Sequence, residues 1–152
     1  MEAFPFTEAE WEAVKDAALP VVNAGLADDP VPRASHLVGL LDVLARLRTR
    51  HGDHPVLLET QADFAEGDAE RVALYRRAAG IASAHGLPTL SIRLSLAELL
   101  LELGRPVEAG DELVACQHEL PNGDESDRAS WAELATMARP AEPGAAVDRL
   151  RE

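Results

Sequence analysis

Residues 91–121, SIRLSLAELLLELGRPVEAGDELVACQHELP, constrain the fold more than any other stretch of the chain. Apolar residues recur every three or four positions on both sides of Gly104-Arg105-Pro106, which is the spacing of amphipathic helices. Glycine relaxes the backbone at such a corner. The segment therefore reads as two short helices folded against each other.

Helical readings cover the remainder. Thr7 and Glu10 have the T-x-x-E spacing of a capping box, so a helix starts after Thr7, with Trp11, Val14, Ala17, Ala18 and Val21 or Val22 on one face. Pro20 lies inside it and is expected to kink or divide it near Leu19. After the turn Ala27-Asp28-Asp29-Pro30, a second helix runs from Val31 or Pro32 to Arg50. Leu37, Leu40, Leu41, Leu44 and Leu47 form its stripe, which Val38 and Val43 widen. So broad an apolar face suits the middle of a stack or a homodimer contact. Gly52-Asp53 closes it, and Pro55 opens a third helix, about 55–65, with Val56, Leu57, Ala62 and Phe64. Asp68 is the expected N-cap of a fourth, about 69–85, carrying Val72, Tyr75, Ala78, Ala79 and Ala82 and ending at Gly86. Helices five and six span about 89–103 and 106–119. Pro121-Asn122-Gly123 is a turn, and a seventh helix, about 124–138, places Trp131, Leu134 and Met137 on one face. Residues 141–152 read as a short tail, with 1–140 as a single domain. No alternating strand pattern occurs, so the expected class is all-α.

Composition agrees with a folded helical chain. Of 152 residues, 47% are apolar and 27% charged, and aromatic residues reach only 4%. The formal net charge of −13 disfavours nucleic acid, because phosphate repels such a surface, and it leaves room for a basic partner. No apolar run is long enough to cross a membrane, and the start, MEAFPFTEAE, is too acidic for a signal peptide. With one cysteine, Cys116, a reducing cytoplasm is the expected setting. Lys15 as the sole lysine among arginines reads as the bias of a GC-rich bacterial genome.

Leu96-Ala97, Leu100, Gly104, Ala109, Leu113, Cys116 and Pro121 resemble the signature positions of the tetratricopeptide repeat. Two departures stand out. Arg93 and Pro106 occupy places where that family usually has large apolar or aromatic residues. The hairpin at 55–87 fits more weakly, since Tyr75 and Leu113 are 38 residues apart rather than about 34. The first hairpin, 7–52, carries no signature. The resemblance implies a right-handed stack of antiparallel helical hairpins, 7–52, 55–87 and 89–120, closed by a capping helix at 124–138 that turns Asp124, Glu125, Asp127 and Glu133 outward.

In this family the first helix of each hairpin lines the concave, ligand-binding side. The resemblance then implies partner contacts at Ser91, Leu94, Glu98, Leu101 and Glu102, and at Glu59 and Asp63 on the third helix. The Lys, Arg and Asn set that clamps a peptide carboxylate in well-known members is missing. A basic or amphipathic protein segment is the expected ligand.

Other constellations are weaker. His51 and His54 flank Asp53 near Glu59, a pair that could begin a metal site, but the spacing adds no further ligand, and an exposed interhelical corner is the expected placement. His36, His85 and His118 are isolated. Ser95, Cys116 and His118 lack a nucleophile elbow, so no catalytic set and no cofactor is expected. Arg46, Arg48 and Arg50 complement a helix C-terminus and, without a glycine-rich loop, make a poor phosphate site. Phe4 and Phe6 are placed to dock back on the first hairpin. The expected function is a non-enzymatic adaptor or regulatory module that binds protein. The alternatives are an immunity-type inhibitor of a basic toxin and a structural homodimer.

Overall fold

The computed structural model describes residues 1–27 and 30–138, and within them seven α-helices occur and no strand. They divide into two units, one ending at Ile81 and the other starting at Ala82.

In the first unit, α1 is Glu8–Leu26, α2 is Pro30–His51, α3 is Pro55–Phe64 and α4 begins at Asp68, continuing to Ala84. The capping box forms as expected. Glu10 N–H donates to Thr7 Oγ1 at 3.1 Å, and Thr7 N–H donates to Glu10 Oε1 at 2.9 Å. Pro20 does not divide α1, which runs through it as one helix. Its ring removes a single backbone donor, and the apolar face continues past it through Val21 and Ala24, both buried. Packing of α1 on α2 builds a core of Phe6, Val14, Val21, Leu40, Leu44, Leu47 and Leu57. The broad face of α2 is only partly used: Leu40, Leu44 and Leu47 are buried, whereas Val38 is exposed.

Polar contacts fasten the shorter helices. Arg48 donates through Nε to Asp53 Oδ1 at 2.9 Å and through one terminal nitrogen to Gln61 at 3.2 Å. Tyr75 O–H donates to Asp63, and Arg71 Nε donates to the Ala62 carbonyl at 3.1 Å, so α4 is tied to the C-terminal half of α3. Asp68 is the first helical residue of α4 rather than its cap, because Gly67 C=O already accepts the N–H of Arg71.

In the second unit, α5 is Leu90–Glu102, α6 is Pro106–Cys116 and α7 is Glu125–Ala138. Gly104 takes the left-handed conformation, φ 71°, that the corner between α5 and α6 requires. Ala97 and Ala109 are 0% exposed, as are Leu96, Leu100 and Cys116. A fully buried leucine of this kind contributes about 1.5–3 kcal/mol relative to leaving it in water. Arg93 is not a failed apolar position: it donates to Glu112 at 2.6 Å and to Thr89 Oγ1 at 3.1 Å, pairing α5 with α6. Regular α-helix stops at Cys116, and the chain continues as a 3-10 segment, Gln117–Asn122, with Pro121 inside it. Asp124 then caps α7 by accepting the Asp127 N–H at 2.7 Å. α7 packs against both α5 and α6, and the Trp131 indole N–H donates to the Leu113 carbonyl at 2.8 Å. The tail expected over 141–152 lies outside the described residues, as do Asp28 and Asp29 of the turn before α2.

Candidate functional site

On α5, Glu98 and Glu102 are one helical turn apart, and Leu101 lies beside Glu102. On α7, Ser130, Glu133, Leu134 and Met137 share one face by the same periodicity. These two faces enclose a groove of about 300 Å³ whose walls are Glu98, Leu101, Glu102, Ser130, Glu133, Leu134 and Met137. Its floor is apolar and its rim holds three carboxylates. None of the three has a cationic partner among the described residues. Like charges gathered on low-dielectric walls repel one another, and a bound cation would relieve that repulsion.

Three of the residues expected on the partner-binding surface, Glu98, Leu101 and Glu102, meet in this groove. Ser91 is exposed on α5 but outside it. Leu94 is a correction: at 9% exposure it belongs to the interior and offers a partner little surface. It lies on a helix that buries most of its circumference, with Leu90, Ile92, Leu94, Leu96, Ala97, Leu99 and Leu100 all in the interior. Glu59 and Asp63 belong to the first unit. Asp63 accepts from Tyr75 and so serves the α3–α4 join, while Glu59 is half-buried with an interaction of its own.

The α7 wall was only partly legible. Met137 reads as a core residue by spacing, yet it is 58% exposed and lines the groove. Glu133 reads as solvent-facing, and it is exposed and also lines the groove with Glu98 and Glu102. The spacing 130, 133, 134 and 137 held the signal. Which helix would stand opposite was not in it.

The His51 and His54 corner is a second correction. Instead of an exposed corner, His54 is 2% exposed and caps α3, its Nδ1 accepting the Val56 N–H at 3.2 Å. Its Nε2 lies 2.8 Å from the Glu2 carbonyl, where only a donor fits, so the ring carries its proton on Nε2. His51 Nε2 meets Glu10 Oε2 at 2.9 Å. Phe6 packs edge-on against both rings, and Phe4 packs on Phe6 and Trp11. The two imidazoles therefore hold the N-terminal segment on the first hairpin. Glu10 is held down at about 2, first by the Thr7 backbone N–H and then by His51.

Cys116 is buried, with its thiol pushed up to about 11 by burial and by the Glu119 charge, and Sγ faces its own helix at the Leu113 carbonyl, 3.6 Å away. His118 is exposed, so Ser95, Cys116 and His118 form no relay. Among the described residues, no three His, Cys, Asp or Glu side chains converge as a metal site, and no helix is long and apolar enough to cross a membrane. Compared with protein-family models, curated proteins and solved structures, the chain has no significant match.

Proposed function

We propose that this chain is a non-enzymatic protein-interaction module of tetratricopeptide-like build, an adaptor or regulatory subunit that receives a basic or amphipathic segment in the α5–α7 groove. The observation that carries the reading is the rim of Glu98, Glu102 and Glu133, unpaired among the described residues, around an apolar floor of Leu101, Leu134 and Met137. A partner helix or strand would bury its apolar residue on that floor and set lysine or arginine on the carboxylates. Local packing supports the repeat reading. Ala97 and Ala109 are fully buried in the α5–α6 hairpin, and α7 lies against both of its helices as a capping helix would.

The test is titration of protein partners, identified by crosslinking, against the wild type and an E98K/E102K/E133K variant. All three carboxylates are exposed, so the variant is expected to fold, which its far-ultraviolet helix signal checks. Binding to the basic segment should fall by about tenfold or more and weaken as salt rises. Equal affinity of both proteins for every recovered partner would sink the proposal.

A further inference from the structure

A second groove, of about 340 Å³, lies in the first unit between α1 and α2, lined by Glu10, Ala13, Val43, Arg46, Leu47 and Arg50. Unlike the first, it carries two guanidiniums against one carboxylate. Arg46 has no partner among the described residues, although acidic residues outnumber basic ones by 27 to 14. Every other described arginine is engaged: Arg33 with Glu66, Arg48 and Arg77 with Asp53, Arg93 with Glu112, Arg105 with Glu108, Arg71 and Arg128 with backbone carbonyls, and Arg76 with a neighbour of its own. Arg50 is 70% exposed and reaches only Glu10 Oε2, at 3.5 Å, an oxygen His51 already holds at 2.9 Å. Glu10 spends its other oxygen on the Thr7 N–H. Asp42, one turn before Arg46, makes no ion pair with it. Glu10 is the one carboxylate lining this groove, and its apolar lining is Ala13, Val43 and Leu47.

We infer that the α1–α2 groove docks an acidic amphipathic helix of a partner protein. Ala13 is the small residue that leaves the floor open, and one apolar side chain of the partner seats there. Arg46 and Arg50 are one turn apart on α2, so Asp or Glu residues one turn apart on the partner meet both guanidiniums in a single register. The groove belongs to the first unit and does not depend on the acidic groove of the second.

The test is selection of 16-residue peptides from a random displayed library on the wild-type protein. Recovered peptides should carry Asp or Glu four residues apart beside a Leu, Ile or Phe. Their affinity should fall by about tenfold or more for R46E/R50E and for A13L, which fills the floor without changing charge, and stay the same for E98K/E102K/E133K. Exchanging the peptide's paired acids for lysine should restore binding to R46E/R50E. Arg46, Arg50 and Ala13 are exposed, and circular dichroism is to check that each variant keeps its helix content before its affinity is read. An empty selection, a pool without paired acids, or acidic peptides indifferent to R46E/R50E or A13L would overturn the inference.

Discussion

The carboxylate of Glu119 closes on Thr89, accepting its backbone N–H at 2.7 Å and its hydroxyl, and also accepts the Leu90 N–H at 3.2 Å. Thr89 is the N-cap residue of α5, and its own side chain makes no capping hydrogen bond. The cap is thus supplied from 30 residues away, by the 3-10 segment that follows α6. A carboxylate there satisfies orphan N–H groups and complements the helix dipole. Thr89 in turn accepts from Arg93, which binds Glu112, so one polar chain links the start of α5 to α6 and to the segment after it.

Removing that cap should be measurable. Glu119→Ala is expected to lower unfolding stability by about 1–2 kcal/mol, since it leaves two backbone donors of α5 without their acceptor. Glu119→Gln should cost less, because its amide oxygen still accepts. Urea unfolding followed by the far-ultraviolet helix signal checks both. Equal stability of Glu119→Ala and wild type would show that water replaces the cap without loss.

The helix crossing in the same hairpin has no room to spare. Ala109→Leu forces extra methylenes into a site with no exposure and should destabilise by about 1–3 kcal/mol. Gly104→Ala carries a different penalty, about 1–2 kcal/mol, from placing a Cβ at φ 71° where nothing crowds it sterically. Thermal unfolding of the two variants separates packing from backbone strain, because a further Gly104→Asn change should recover part of the second loss and none of the first.

Acid stability should respond to Glu10. Its carboxyl falls from an ordinary 4.5 to about 2 in the folded chain, through the Thr7 N–H first and His51 next. A carboxylate depressed in this way contributes stability that is fully present above its unfolded value and is lost as pH falls through the folded one. The wild type should therefore lose stability between about pH 4.5 and 2, and Glu10→Gln should flatten that part of the profile. Chemical unfolding at a series of pH values reads the difference.

Cys116 should behave as a core side chain. Burial and the Glu119 charge push its thiol up to about 11, so little thiolate forms near neutrality and none of it is accessible. A disulfide-exchange reagent at pH 8 should label the folded protein slowly and label it at once in denaturant. Fast labelling without denaturant would mean that the α6 packing opens readily.

Much of this structure is legible along the chain because helices are local. The capping box at Thr7 and the buried set Val72, Tyr75, Ala78, Ala79 and Ala82 follow from spacing alone and are found, whereas of the stripe Leu37, Leu40, Leu41, Leu44 and Leu47 only Leu40, Leu44 and Leu47 are buried. Residues whose role depends on a neighbour distant in sequence were not legible. Leu94 and Met137 carry the same apolar label, and their burial is decided by which helix stands opposite. His54 reads as a surface histidine until Phe6 and Glu2 are laid over it.

By itself, the sequence determined an all-helical chain, the approximate ends of its helices, the packed hairpin around Gly104 and a strong excess of negative charge. These depend on backbone periodicity, on capping chemistry and on composition, which need only nearby residues. Tertiary structure alone decided that Glu133 joins Glu98 and Glu102 on one rim, that Arg46 is left without a partner among the described residues, and that Glu119 caps a helix it does not belong to. Each of those facts depends on which residues of different helices are brought near one another, and that is fixed by how apolar faces pack, which no local pattern encodes.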